Sequence, residues 1–241
     1  MANSSLYNRF VSSSGLQKGG AKKNGGDLLS LIADKKQFFI LTFINLIFQL
    51  GITYYLMMKN TMGLDSNKSR SVMMTFMFIL ELIIIIILAF VPMPPFLKFL
   101  LFSIFSATMG ITLSVIKTDT NAKIIQTAIV SALGIFVSML AFGVVLIMSG
   151  IQLSMRFGFV LLMALLFLIV FQIVSLFLRS YTFFAKGISI FALMLFSVYV
   201  VYDTNTILQR NYYGDFITAS LDYYLDIINI FVNLVSLGGR N

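Results

Sequence analysis

The sequence predicts an all-α integral membrane protein: a bundle of seven hydrophobic helices, the last of which either spans the membrane or re-enters it. Three observations lead there. The 241 residues are 59% hydrophobic and 11% charged, with a mean hydropathy of +0.96, whereas soluble domains carry about 25% charged residues. Seven apolar runs follow one another between short polar breaks, each near the roughly 20 residues that cross a hydrocarbon core as a helix. The acids in the final run recur at helical spacing instead of falling in loops.

The same composition excludes much chemistry. Without cysteine there are no disulfides, no thiol catalysis, no palmitoylation and few zinc arrangements. Without histidine, a response to pH between about 5 and 8 has to come from carboxylates. The net charge of +8 does not form a phosphate-tracking patch, because six of the 17 basic residues lie in the first 36 positions and the others are scattered. Nucleic acid is therefore not an expected partner, and the lipid bilayer is.

Residues 1–36, with the segment SSSGLQKGGAKKNGGD, read as a flexible basic polar tail. The tail lacks the apolar core of a signal peptide, and Ala2 does not fit a myristoylation site. The multi-pass domain occupies 37–238. Its first run, 37–58, is uncharged. The second, 72–91, carries Glu81 just ahead of five consecutive isoleucines and ends where Pro92, Pro94 and Pro95 break the helix. The third, 96–116, offers Ser103, Ser106, Ala107 and Gly110 for close helix contact. The uncharged stretch 124–155 is too long for one span, so a helix over 124–148 and a turn at Ser149-Gly150 are expected. The fifth and sixth runs cover 157–178 and 187–208, and a polar hinge at 209–215 leads into the seventh, 216–237. No internal repeat is visible. The basic tail places the N-terminus in the cytosol, although the loops beyond it carry the opposite bias. A glycosylation sequon, Asn67-Lys68-Ser69, would then face the lumen.

The polar residues of the last two runs carry the functional argument. In the seventh, Asp222, Asp226, Asn229, Asn233 and Ser236 are spaced by 4, 3, 4 and 3, which sets them on one helical stripe. Asp203 closes the sixth run beside Tyr199, Tyr202 and Thr206. An ionisable group within a bilayer costs roughly 2.5–3.5 kcal/mol on insertion scales, so such groups face a bundle interior or a wet cavity. If the two helices form a hairpin, Asp203 lies about 12 Å and Asp226 about 18 Å from the hinge at 1.5 Å per residue, close enough in level to meet. Two carboxylates in contact do not both ionise cheaply, and they would share one proton. The competing structural reading makes these aspartates helix caps or acceptors in a static core. Glu81, deep in an apolar helix, needs a partner or a proton.

Enzymes find little support. Tyr202-Asp203 and Tyr213-Gly214-Asp215 faintly resemble the motifs of two-aspartate membrane proteases, but the first glycine of Gly-x-Gly-Asp and the Pro-Ala-Leu motif are missing. No catalytic residue is expected, and a seven-helix receptor has no positive motif. A tight calcium site needs six to eight oxygens, which nothing here supplies. The aspartates with Asn229, Asn233 and Thr206 suit a weak, multi-point ion path instead.

The segments VYDTNTILQR and DFITASLDYYLDIINIFVNLVSL, with FILELIIIIILAF in the second run and FSATMGITLSVI in the third, resemble the transmembrane Bax-inhibitor-motif family, including its lifeguard and Golgi anti-apoptotic branches. The resemblance covers about residues 37–238. It implies a pH-sensitive calcium leak that lowers store calcium and suppresses apoptosis, with Asp203 and Asp226 as the paired acids and Glu81 as the acid of the second helix. Calcium is then the transported ion and no cofactor is implied. Protons and other membrane proteins of the cell-death machinery are the expected partners, and the endoplasmic reticulum or Golgi is the expected location, ahead of the plasma membrane. The base that some members carry near the end of the second helix has no match at 91–93, and Lys98 is the nearest substitute. Two alternatives stay open: a non-conducting protein that blocks death through partner binding, and a proton-coupled calcium exchanger.

Overall fold

A computed structural model of the chain describes residues 25–59, 67–118, 120–177, 182–209 and 215–239. These contain seven helices and no strand: α1 (Gly25–Lys59), α2 (Asn67–Phe90), α3 (Pro95–Thr118), α4 (Ala122–Met148), α5 (Met155–Phe177), α6 (Thr182–Gln209) and α7 (Phe216–Gly238). All seven are long and apolar enough to cross a membrane, and the protein is an integral membrane helix bundle. Helix α1 begins at Gly25, inside the stretch expected to be tail, and its membrane-compatible part starts at Lys36. The rest of the tail, the 210–214 part of the hinge and the side chains of the sequon lie outside the described residues.

The bundle is organised around α7, which packs against α1, α3, α4 and α6. The other six helices fall into two groups of three. In one, α1 packs on α3 and α2 lies outside on α3; in the other, α4 packs on α6 and α5 lies outside on α6. Gln49 meets Ser103 and Thr53 meets Ser106, so α1 and α3 run parallel. Asn45 with Ser220 and Thr53 with Tyr224 set α7 in that same direction. Ser189 with Ser236 and Thr204 with Tyr223 set α6 against it. The two groups thus repeat one arrangement in inverted topology, a relation carried by the packing and not visible in the sequence.

Two glycines let the inner helices of each group close up. A Cβ on Gly110 of α3 would lie 2.7 Å from the Thr53 carbonyl oxygen, and one on Gly143 of α4 would lie 2.8 Å from Thr204 Cβ. Any larger residue would force the pairs apart.

Helix α7 is buried over most of its surface, from Ile217 through Tyr223, Tyr224 and Ile230 to Val235, with a half-buried stripe at 218, 222, 225, 229, 232 and 236. Its start meets Lys98 at the beginning of α3, and its far end meets Ile124 at the beginning of α4. It therefore runs from one end of the bundle to the other, the course of a spanning helix and not of a re-entrant loop. Because most of its surface meets other helices, it can carry more polar side chains than they do.

Candidate functional site

The acids of the last two helices come together. Where α6 packs on α7, the carboxyls of Asp203 and Asp226 lie within hydrogen-bonding reach of each other. Asp226 is 4% exposed, and its Oδ2 has no hydrogen-bond partner within the protein. Asp222, one turn earlier on α7, is within electrostatic reach of both carboxyls, and Tyr199 and Tyr223 face the same group. Tyr223 donates to Thr204 Oγ1 at 3.0 Å. Tyr202 turns away to pack on Phe157 of α5. Among the described residues no basic side chain bonds to Asp203 or Asp226. Two carboxyls this close do not both ionise cheaply.

The remainder of the stripe is quieter. Asn229 Nδ2 donates to the Leu225 carbonyl at 2.7 Å, and Asn233 Nδ2 donates to that of Asn229 at 2.8 Å, so both amides bond along their own helix and keep their carbonyls for other partners. Thr206 is buried in α6. Among the described residues, no three or more acids are placed as a metal-holding set.

Residues 35–241 match the family described as "Inhibitor of apoptosis-promoting Bax1". That stretch contains every spanning segment and both aspartates. The chain belongs to the Bax inhibitor family. It is 34% identical over 134 residues to "Bax inhibitor 1" of Schizosaccharomyces pombe, which covers 56% of this chain and 49% of that protein. It is also 41% identical over 46 residues to "Protein LIFEGUARD 2" of Arabidopsis thaliana (19% of each) and 34% identical over 74 residues to "Protein LIFEGUARD 4" of the same plant (31% of this chain, 30% of that one). The matched stretches thus span at most about half the length of these relatives.

In this Bax inhibitor family member the second helix's acid stands apart from the aspartates. Glu81, 5% exposed, accepts a hydrogen bond from Thr112 Oγ1 at 2.7 Å between α2 and α3. Its surroundings are uncharged and include a group that the acid pattern does not reveal. Asn45, Gln49 and Thr53 of α1 line up at every fourth residue against Ser103 and Ser106 of α3 and Ser220 and Tyr224 of α7. Repetition at that spacing is the sequence signal for one polar helix face.

The basic residue also has its place. Lys98 Nζ donates to Asp215 Oδ2 at 2.6 Å and bonds Thr218 Oγ1, and does not reach the aspartate pair. Asp215 caps α7, its Oδ1 accepting from Thr218 N at 3.0 Å. Burial pushes the Asp215 carboxyl up, but the bonds from Lys98 and Thr218 outweigh it and hold the group below the usual carboxylate range. Asp215 is therefore a helix cap and ion-pair partner, a structural role. Nearby, Asn205 grips the α4–α5 turn, accepting from Leu153 N at 2.8 Å and donating to the Ile151 carbonyl at 3.1 Å.

Proposed function

We propose that the chain forms a pH-sensitive calcium leak path in an internal membrane, the endoplasmic reticulum or Golgi, and suppresses apoptosis by lowering store calcium. The observation that carries this reading is the close pair of Asp203 on α6 and Asp226 on α7, the helix at the centre of the bundle, in a chain of an anti-apoptotic family. Loss of the shared proton leaves two negative charges in contact with Asp222 close by, a state relieved when α6 and α7 part or when a cation enters between them. The groups that face this event are Asp222 and Tyr223 of α7 and Tyr199 of α6. The carbonyl oxygens of Asn229 and Asn233 continue the path along α7. Two or three carboxylates bind calcium loosely enough to release it, as conduction requires. Glu81 stands between α2 and α3, bonded to Thr112 and apart from this pair.

The test is calcium flux into liposomes that contain only this protein, scanned from pH 8 to pH 5.5 beside Asp203→Asn and Asp226→Asn. Wild type is expected to pass calcium with a pH midpoint, and each substitution to abolish or displace that midpoint. Folded wild type that passes no calcium at any pH would sink the leak and leave protection through partner binding. Uphill calcium movement driven by a proton gradient would make the protein an exchanger.

A further inference from the structure

The helices divide into two bodies that are tied to each other unevenly. One comprises α4, α5, α6 and α7. Within it, Tyr223 bonds Thr204, Ser236 bonds Ser189, and Gly238 lies against Ile124 of α4. Thr204 also packs on Gly143, and Asn205 and Gln209 bond the α4–α5 turn at Ile151 and Leu153. The other body comprises α1, α2 and α3, where Thr53 bonds the Ser106 carbonyl at 2.9 Å and Gln49 bonds Ser103 at 3.1 Å.

The polar ties from this second body to α7 all fall in the first half of α7. Lys98 bonds Asp215 and Thr218, Asn45 bonds Ser220, and Thr53 bonds Tyr224, which also reaches Ser106. Asp215 to Tyr224 is about 14 Å of helix. Further on, the face that carries Tyr224 continues as Ile228, Phe231 and Val235, all buried and apolar. Among the described residues, side-chain hydrogen bonds past Tyr224 go to α6 or stay within α7. The chain joins the two bodies once, between Thr118 and Ala122, at the opposite end of α3 from Lys98. A body held by a turn at one end and by hydrogen bonds at the other opens at the hydrogen-bonded end, and inverted repeats commonly rock against each other in this way.

Two features favour movement there. The outermost tie, Lys98–Asp215, has its side chains 13% and 35% exposed, so water and salt compete for it. Behind it, Gln49 Oε1 has no hydrogen-bond partner within the protein, although Gln49 is 0% exposed. A buried acceptor without a donor destabilises the shut bundle, and water that enters beside α1 relieves it.

We propose that α1, α2 and α3 form a jaw that swings on the α3–α4 turn and is latched at the opposite end by Lys98, Asp215 and Thr218. Once the latch parts, Asn45–Ser220 is the next tie to open and Thr53–Tyr224 the last. Water then enters a cleft lined by Asn45, Gln49, Ser220 and Tyr224. Ile228, Phe231 and Val235, nearer the hinge, move least. Asp203 and Asp226 lie within the other body, so the jaw does not rest on the leak.

The chain has no cysteine, so spin labels on introduced cysteines test this in the reconstituted full chain. The pair Ile40→Cys with Met155→Cys spans the latched end, and Tyr54→Cys with Gln126→Cys spans the hinged end; all four positions are exposed. Double electron–electron resonance reads the distances across each. Lys98→Met is expected to raise the population of a longer distance at the latched end about tenfold, as for one lost ionic hydrogen bond, and to leave the hinged end unchanged. Lys98→Arg, which keeps the ion pair, is expected to keep the wild-type distances. Raising salt from about 0.1 to 1 M should widen the latched end in wild type and have no such effect in Lys98→Met. A latched end that Lys98→Met leaves unchanged would overturn the jaw, and so would equal widening at both ends, which marks general loosening.

Discussion

The two flanks of α7 are built alike but filled differently. Toward α6, Tyr223 bonds Thr204, which packs against Gly143; toward α1, Tyr224 bonds Thr53, which packs against Gly110. Each tyrosine is ringed by aromatics, Phe43 and Phe136 on one side and Phe102 and Phe105 on the other. Beyond these matched centres, the α6 flank carries three aspartates and the α1 flank carries amides and hydroxyls. An uncharged network can stay bonded at any ordinary pH. A pair of carboxyls in contact cannot both ionise cheaply, so the proposed pH response belongs to the α6 flank.

The matched centres predict equal losses. Tyr223→Ala and Tyr224→Ala should each lower stability by about 3–5 kcal/mol, the cost of deleting a buried aromatic. The corresponding Phe variants should lose only about 0.6 kcal/mol, the mean for a hydrogen bond within a membrane bundle. Chemical unfolding in detergent reads both, and a large asymmetry would refute the equivalence. The filling predicts a smaller, unequal effect. Wild-type stability should differ between pH 8 and pH 5.5 by on the order of 1–2 kcal/mol, as for one linked proton. Asp203→Asn should remove most of that difference and Gln49→Met should leave it intact.

The smallest effect belongs to the cap that serves both flanks. The carboxyl of Asp215 is held below its ordinary range in the folded chain, so its contribution is present above the unfolded value of about 3.9 and is lost as acid protonates it. Asp215→Asn should cost about 1 kcal/mol at pH 7, and the cost should shrink below the unfolded value and vanish only once the pH has fallen through the lowered folded pKa of the wild-type carboxyl. Thermal midpoints of the two proteins, measured down that range, would converge if this is right.

Much of this was legible in the residues. Long apolar runs and the proline turn delimit the helices to within a few positions, because a bilayer sets their length and Pro92, Pro94 and Pro95 cannot continue one. Spacing alone marked the stripe on α7, and the hairpin estimate placed Asp203 at the level of Asp226. The centrality of α7 was not legible, since a helix walled by other helices and one facing lipid are both apolar. Nor did Asn45, Gln49 and Thr53 stand out, because uncharged polar residues cost a span little until their partners on α3 and α7 are known. The start of α1 at Gly25 was hidden by its Gly and charged residues, which read as tail.

The central position of α7 has a consequence for biogenesis. This helix is translated after the six others, four of which it packs against. While the ribosome is still reading its codons, Thr53, Asn45, Ser106, Thr204 and Asp203 lack the residues of α7 that they meet in the finished bundle. Until the seventh helix is in place, the two groups of three lack the contacts that it makes with α1, α3, α4 and α6.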